Sequence, residues 1–131
     1  MEIKKIHSDE RRTIYLIENL LKNNKEFTII KLNKGKAIGG CIHSIAEDFC
    51  IIEGFGEFIW KEGHKINSIG YVKGEHSLIP PNTPHMFVAK EDSIIIEWGV
   101  PASDKNKYDE KLRKIVDEIN KGSDNKNGNI I

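Results

Sequence analysis

From Thr13 to Trp98 the chain alternates short extended segments with turn signals about every ten residues, a rhythm without clear helices between them. The candidate strands are Thr13–Ile17, Phe27–Leu32, Ile38–His43, Phe49–Glu53, Glu57–Trp60, Ile66–Val72, Ser77–Ile79, His85–Ala89 and Ser93–Trp98. They are rich in Ile, Val, Phe, Tyr and Trp, side chains that fit a pleated, half-buried surface. Between them stand Asn33-Lys34-Gly35, Gly39-Gly40, Gly54-Phe55-Gly56, Glu62-Gly63, Lys73-Gly74 and Pro80-Pro81-Asn82. Asn, Gly and Pro in such runs supply the backbone angles of tight turns. Many short strands at this spacing predict an all-β antiparallel sandwich or barrel.

One helix is expected after the strands, over about residues 104–121. Tyr108, Leu112, Ile115, Val116 and Ile119 recur at helical spacing, Ser103 is placed to cap the start and Gly122 to stop the end. Its apolar stripe should lie on the outside of a sheet. The polar run Ser123–Asn129 predicts a frayed tail over 122–131, and Glu18–Lys25 reads as one helical turn or, in preference, a long hairpin loop. A length of 131 residues suits one domain, here taken as 1–121.

Charge narrows the partners. Twenty basic residues balance twenty acidic ones, a net +0, and the basic residues are scattered. Nucleic acid and anionic membranes attract chains with an excess or clustering of Lys and Arg, so neither is expected as a partner. Charge interrupts every apolar run too often for a membrane span. Two cysteines build no disulfide framework, and Met1-Glu2-Ile3-Lys4-Lys5 lacks the apolar stretch of a secretory signal, so a cytoplasmic location is expected.

Chemistry concentrates in two segments. In the first, strand alternation puts Cys41 and His43 on one face, with Glu47 beyond a short turn able to join them beside Phe49 and Ile51. In the second, the turn Pro80-Pro81-Asn82-Thr83-Pro84 delivers His85 to the start of a strand. A thiol, two imidazoles and a carboxylate converging inside a barrel make a ligand set for a divalent transition metal, whether zinc, nickel, manganese or iron. Cys41 is either the fourth ligand or a small inward-facing apolar residue. Cys50 has the opposite strand parity and reads as an inert thiol on the other face. Taken alone, each His is more simply a hydrogen-bonded structural residue, and His7, His64 and His76, without such company, read as surface residues. Trp60 and Trp98 end strands, where they would cover a barrel mouth or a contact between copies. Glu97 shares parity with Ile95; pointing inward it would be a candidate general acid or base, pointing outward a solvated charge. Arg12 is a candidate anion contact, through the two parallel hydrogen bonds a guanidinium gives a carboxylate or phosphate, or else an exposed terminal residue. Phe49 and Phe87 are candidates to line a ligand site.

These segments resemble the two motifs of the cupins. Gly35, His43, Glu47 and Gly54 fall on G-x5-H-x-H-x3-E-x6-G with no gap, Cys41 standing where the first His belongs. Gly74, Pro80 and His85 fall on G-x5-P-x-G-x2-H-x3-N, with Asn82 for the glycine and Ala89 for the asparagine. Asn82 can adopt the left-handed backbone that the glycine supplies there. The resemblance implies a cupin double-stranded β-helix, a jelly-roll barrel over about residues 27–98, followed by one C-terminal α-helix. It implies His43, Glu47 and His85 as metal ligands with Cys41 at the fourth position.

The segments Glu47-Asp48-Phe49 to Glu53-Gly54, Ile79–His85 and Glu91–Trp98 also look like small single-domain cupins that accompany sugar and surface-polysaccharide biosynthesis. That softer likeness implies a metal-assisted isomerase or epimerase acting on a small polar, carbohydrate-derived ligand, with Glu97 or a water moving the proton. The same two His and one carboxylate resemble the triad of non-haem iron dioxygenases, the second reading. A non-catalytic module that binds a small ligand is the third. A homodimer through sheet edges is expected, because exposed edges invite pairing.

Overall fold

The computed structural model describes residues 2–18, 26–104 and 107–129. In chain order the elements are β1 (Glu2–Ser8), β2 (Arg12–Glu18), β3 (Glu26–Leu32), β4 (Ala37–Ile42), β5 (Glu47–Glu53), β6 (Phe55–Glu62), β7 (Lys65–Val72), β8 (His76–Ile79), β9 (His85–Ala89), β10 (Ser93–Trp98), β11 (Lys107–Tyr108) and α1 (Glu110–Asn129). The nine strands expected from the sequence are β2 to β10. The loop expected over Glu18–Lys25 falls, apart from Glu18, outside the described residues.

The strands form two antiparallel sheets, one in the order β1-β2-β3-β10-β5-β8 and the other β11-β4-β9-β6-β7. Each face-to-face layer alternates apolar-in with the strand period of two. Ile30, Leu32, Phe49, Ile51, Ile95, Phe58, Phe87 and Ala89 point between the sheets and form the main core. Phe49 stands at its centre, its ring 5.3 Å from Phe58 and 5.5 Å from Phe87. Burying each such aromatic or branched side chain contributes about 1.5–3 kcal/mol, and this core is the main cement of the barrel.

A second core lies outside the barrel. Ala37, Ile59, Met86 and Val88, on the outer face of the five-stranded sheet, are covered by Leu112 and Val116 of α1. The apolar stripe therefore packs where expected, but the helix bounds differ from the sequence reading at both ends. Ser103 is not the cap: the chain first runs through β11, which pairs Tyr108 with Cys41 of β4. Asp109 caps α1 instead, its Oδ2 accepting from the Leu112 N–H at 3.0 Å. Tyr108 sits four residues before Leu112 and so mimics the helical stripe while belonging to a strand. At the other end Gly122 does not take the positive φ of a helix stop, and α1 continues to Asn129, where a frayed tail was expected.

Candidate metal centre

Three strand ends deliver the polar residues to one end of the apolar barrel. Glu47 opens β5 and His85 opens β9, in the inward-facing sets Glu47, Phe49, Ile51 and His85, Phe87, Ala89. His43 follows β4 directly. A register shift between Gly39 and Cys41 brings Cys41 opposite His85, on the inward side. Glycine is required at this bulge. A Cβ on Gly39 would lie 2.9 Å from the Met86 Cα, and one on Gly40 2.8 Å from the Arg113 Cα. The proline-rich turn is fastened to the first motif by the Asn82 N–H, which donates to the His43 carbonyl at 2.6 Å. Asn82 takes φ 61°, the left-handed conformation expected of it in place of glycine.

His43, Glu47 and His85 are all buried, and one ligand atom from each lies within 4.8 Å of the others. His85 Nε2 is 3.2 Å from Glu47 Oε1, and His43 Nε2 is 3.9 Å from Glu47 Oε2. Two donors on one metal ion at about 2.1 Å stand roughly 3.0–3.4 Å apart, so small side-chain movements would bring this set to coordination distance. The tautomer of His85 is set by its surroundings. Nδ1 lies 2.9 Å from the Thr83 carbonyl, which can only accept, so Nδ1 carries the proton. The Nε2 lone pair of the neutral ring then faces Glu47, acceptor against acceptor. A cation between them, or a proton on one of them, is what such a pair demands. His43 Nδ1 is buried without a hydrogen bond, with Asp104 Oδ2 at 3.6 Å. Donor types, burial and spacing fit a divalent transition metal.

Electrostatics favour neutral groups in the absence of an ion. Burial holds His85 below the usual imidazole range, and burial together with the neighbouring His85 does the same to His43. Burial pushes Glu47 up to about 7, opposed by a hydrogen bond from Glu97. Glu97 lies well above the carboxylate range because protein surrounds its carboxyl and the Glu47 charge stands beside it. Glu97 thus points inward, with Ile95, and the alternative of an outward solvated charge is set aside.

The cavity over this group has a volume of about 200 Å³, far more than the roughly 10–15 Å³ one water requires. Cys41, Arg12, Glu97, Phe49 and Phe87 all line it. The structure brings Cys41 to the cavity but not into the metal group, which holds three residues. Burial pushes its thiol up to about 11, with Glu97 and Glu47 adding to the shift. Cys50 is half-buried on the outer face, opposite His76, as its parity required. His76 is exposed, paired with Asp48 at 2.8 Å and stacked on Trp98, while Trp60 packs against the main core. His7 and His64 are exposed. Sequence reasoning missed Asp104, Ile6 and the loop segment Val100–Ala102, which also line the cavity. Their loop or edge positions carry no periodic signal that could have placed them.

The fold is that of the cupins. Solved structures similar to the chain are cupins that differ widely in sequence. The capsular polysaccharide assembling protein CapF from Staphylococcus aureus is 18% identical over 82% of this chain and 32% of its own, with a TM-score of 0.65. Vicilin from hazelnut, Corylus avellana, is 16% identical over 81% of this chain and 34% of its own, at 0.67. A Bacillus subtilis oxalate decarboxylase mutant is 13% identical over 80% of this chain and 29% of its own, at 0.66. The chain thus spans about a third of the length of each. No family model matches the sequence, and no curated protein does. Among the described residues no helix is long and apolar enough to cross a membrane.

Proposed function

We propose that the chain is a metal-assisted isomerase or epimerase of a small polar, carbohydrate-derived ligand bound in the barrel. The observation that carries this reading is the buried His85 Nε2 facing Glu47 Oε1 at 3.2 Å, with His43 alongside and the proton-bearing Glu97 next to them in one cavity. His43, Glu47 and His85 would hold the ion. When bound, a divalent metal supplies Lewis-acid polarisation of a ligand oxygen. The chain's own residues do the rest. Phe49 and Phe87 line the cavity, and Glu97, ionised once a bound cation offsets the Glu47 charge beside it, would take the proton from the carbon beside the ligand's carbonyl and return it. CapF, described as a capsular polysaccharide assembling protein, supports the carbohydrate part, and oxalate decarboxylase, whose Mn(II) centres have been characterised, supports the metal part.

The first test is elemental analysis of the purified protein beside His85→Ala, His43→Ala and Cys41→Ala. About one transition metal per chain is expected in the wild type and in Cys41→Ala, falling at least tenfold in either His variant, since loss of even an outer partner costs about 10–100-fold in affinity. Proton transfer is then read by NMR as deuterium entering keto sugars from heavy water, lost in Glu97→Gln. No metal uptake from any candidate ion would sink the reading. The His-Glu-His set also matches the ligand triad of non-haem iron dioxygenases, and oxygen uptake by iron-loaded protein would favour that activity. Tight ligand binding with neither exchange nor oxygen uptake would favour a pure binding role. We further propose that the chain works as a homodimer, joined through β1.

A further inference from the structure

Arg12 belongs to the inward-facing set of β2. It pairs with Leu32 as Ile14 pairs with Ile30, and both partners are core residues. Its side chain lines the same cavity as His43, Glu47, His85 and Glu97. A guanidinium carries five donors and no acceptor, and it keeps its charge in folded proteins. Taken out of water, such a group requires an anion or several acceptors. Arg12 is half-buried, and its Nε is sealed from water with no hydrogen-bond partner; Asp9 and Glu97 stand near enough to act on its charge, but among the described residues neither forms an ion pair with it. The neighbouring acids are already engaged. Asp9 accepts from the Arg11 and Arg12 backbone N–H groups and pairs with His7, and Glu97 is hydrogen-bonded to Glu47. A buried guanidinium N–H that lines a cavity without an acceptor is satisfied by one brought from outside.

We infer that Arg12 grips a carboxylate of the ligand, so that the substrate class is a small organic acid, a hydroxy or keto acid of sugar type, bound with its acid group on Arg12 and its remaining oxygens toward the His43, Glu47 and His85 group. This rests on the reading of the cavity as a ligand site beside a metal and narrows what enters it. An extended neutral sugar would bring no charge to the guanidinium, whose buried Nε lacks a partner.

The test is calorimetric titration of the protein, as purified and after metal removal, with glycolate and D-gluconate, each beside its amide, and with glycerol 3-phosphate. The acids are expected to bind about tenfold or more tightly than their amides, the margin a charge-assisted pair contributes. That preference should vanish in Arg12→Gln and persist in part in Arg12→Lys. In protein labelled with 15N-arginine, the Arg12 Nε–H signal should shift on adding an acid and stay on adding its amide; this readout stands even if Arg12→Gln fails to fold. Equal binding of acid and amide, an acid preference that survives Arg12→Gln, no binding of any acid, or an Arg12-dependent preference for glycerol 3-phosphate would each overturn the assignment. Metal content is measured on the same samples. Metal present with no acid preference removes this inference alone, whereas absence of metal with Arg12-dependent acid binding removes the metal-assisted reading and leaves Arg12 as an acid-binding group.

Discussion

Glu47 and the two imidazoles titrate in opposite directions on folding, and the difference predicts how an ion changes stability. Glu47 rises from 4.5 to about 7, and Glu97 rises further above 4.5. A raised carboxyl keeps its proton in the folded chain, so the stability it contributes is complete below 4.5 and is lost as pH climbs through the folded value. His43 and His85 are lowered from 6.5, so their contribution is complete above 6.5 and is lost as pH falls. Above 6.5 only the carboxyls remain, and the metal-free protein should lose stability as pH rises from 6.5 through about 7 and on through the raised Glu97 value. An ion needs Glu47 ionised and both imidazoles neutral, the states that rising pH favours. The rise in melting temperature on adding Mn²⁺ or Ni²⁺ should therefore grow with pH across that window. A metal effect that is flat or shrinks with pH would place the ion elsewhere. At this scale the convergence of His43, Glu47 and His85 was legible from strand parity and motif spacing. The orientation of Glu97 was not: parity with Ile95 pointed inward, while the cost of burying a carboxylate argued for water. Glu97 avoids that cost by keeping its proton, with a hydrogen bond to Glu47, and no local sequence signal records a partner on another strand.

Elements hold the site through a few polar contacts with the helix. The Asn120 side chain accepts from the Ala37 N–H at 2.7 Å and donates to the Ala37 carbonyl at 3.0 Å, pairing with β4 as a neighbouring strand would. Removing it leaves both backbone groups of a buried residue unsatisfied, each worth about 1–3 kcal/mol. Asn120→Ala should thus lower stability by roughly 2–3 kcal/mol in urea unfolding at unchanged m. Asp109 caps α1 and also pairs with Lys61 of β6 at 2.8 Å between largely buried side chains. Asp109→Ala should cost about 1–2 kcal/mol by the same measurement. A loss below about 0.5 kcal/mol in either variant would show that the second core alone seats the helix. The strands were readable because residues such as Ile95 and Phe87 are apolar at the period of their own structure. Helix bounds were less so. Ser103 and Asp109 are equally good caps by composition, and the choice was made by β11 pairing with β4, a contact remote in sequence. β1 gave no signal because its side chains, polar and apolar alike, stand in solvent.

The whole molecule leaves that strand as its most exposed element. Among the described residues β1 pairs only with β2, its side chains from Ile3 to Ser8 are exposed, and Ile3 and Ile6 keep 58% and 47% of their surface in water. An unprotected edge of this length carries free N–H and C=O groups on one side, which natural proteins cover or pair. A second copy's β1 would pair with those free groups by continuing the six-stranded sheet. Ile6 also lines the cavity, so the contact would close one wall of the ligand site and couple pairing to binding. Sedimentation at micromolar concentration should give twice the 14.9 kDa chain mass. Ile3→Lys, on a side chain outside the cavity lining, should shift the protein toward monomer and leave its metal content unchanged. A monomeric wild type, or an Ile3→Lys dimer of undiminished affinity, would put the interface away from β1. Loss of metal together with loss of the dimer would instead mean that pairing completes the metal centre.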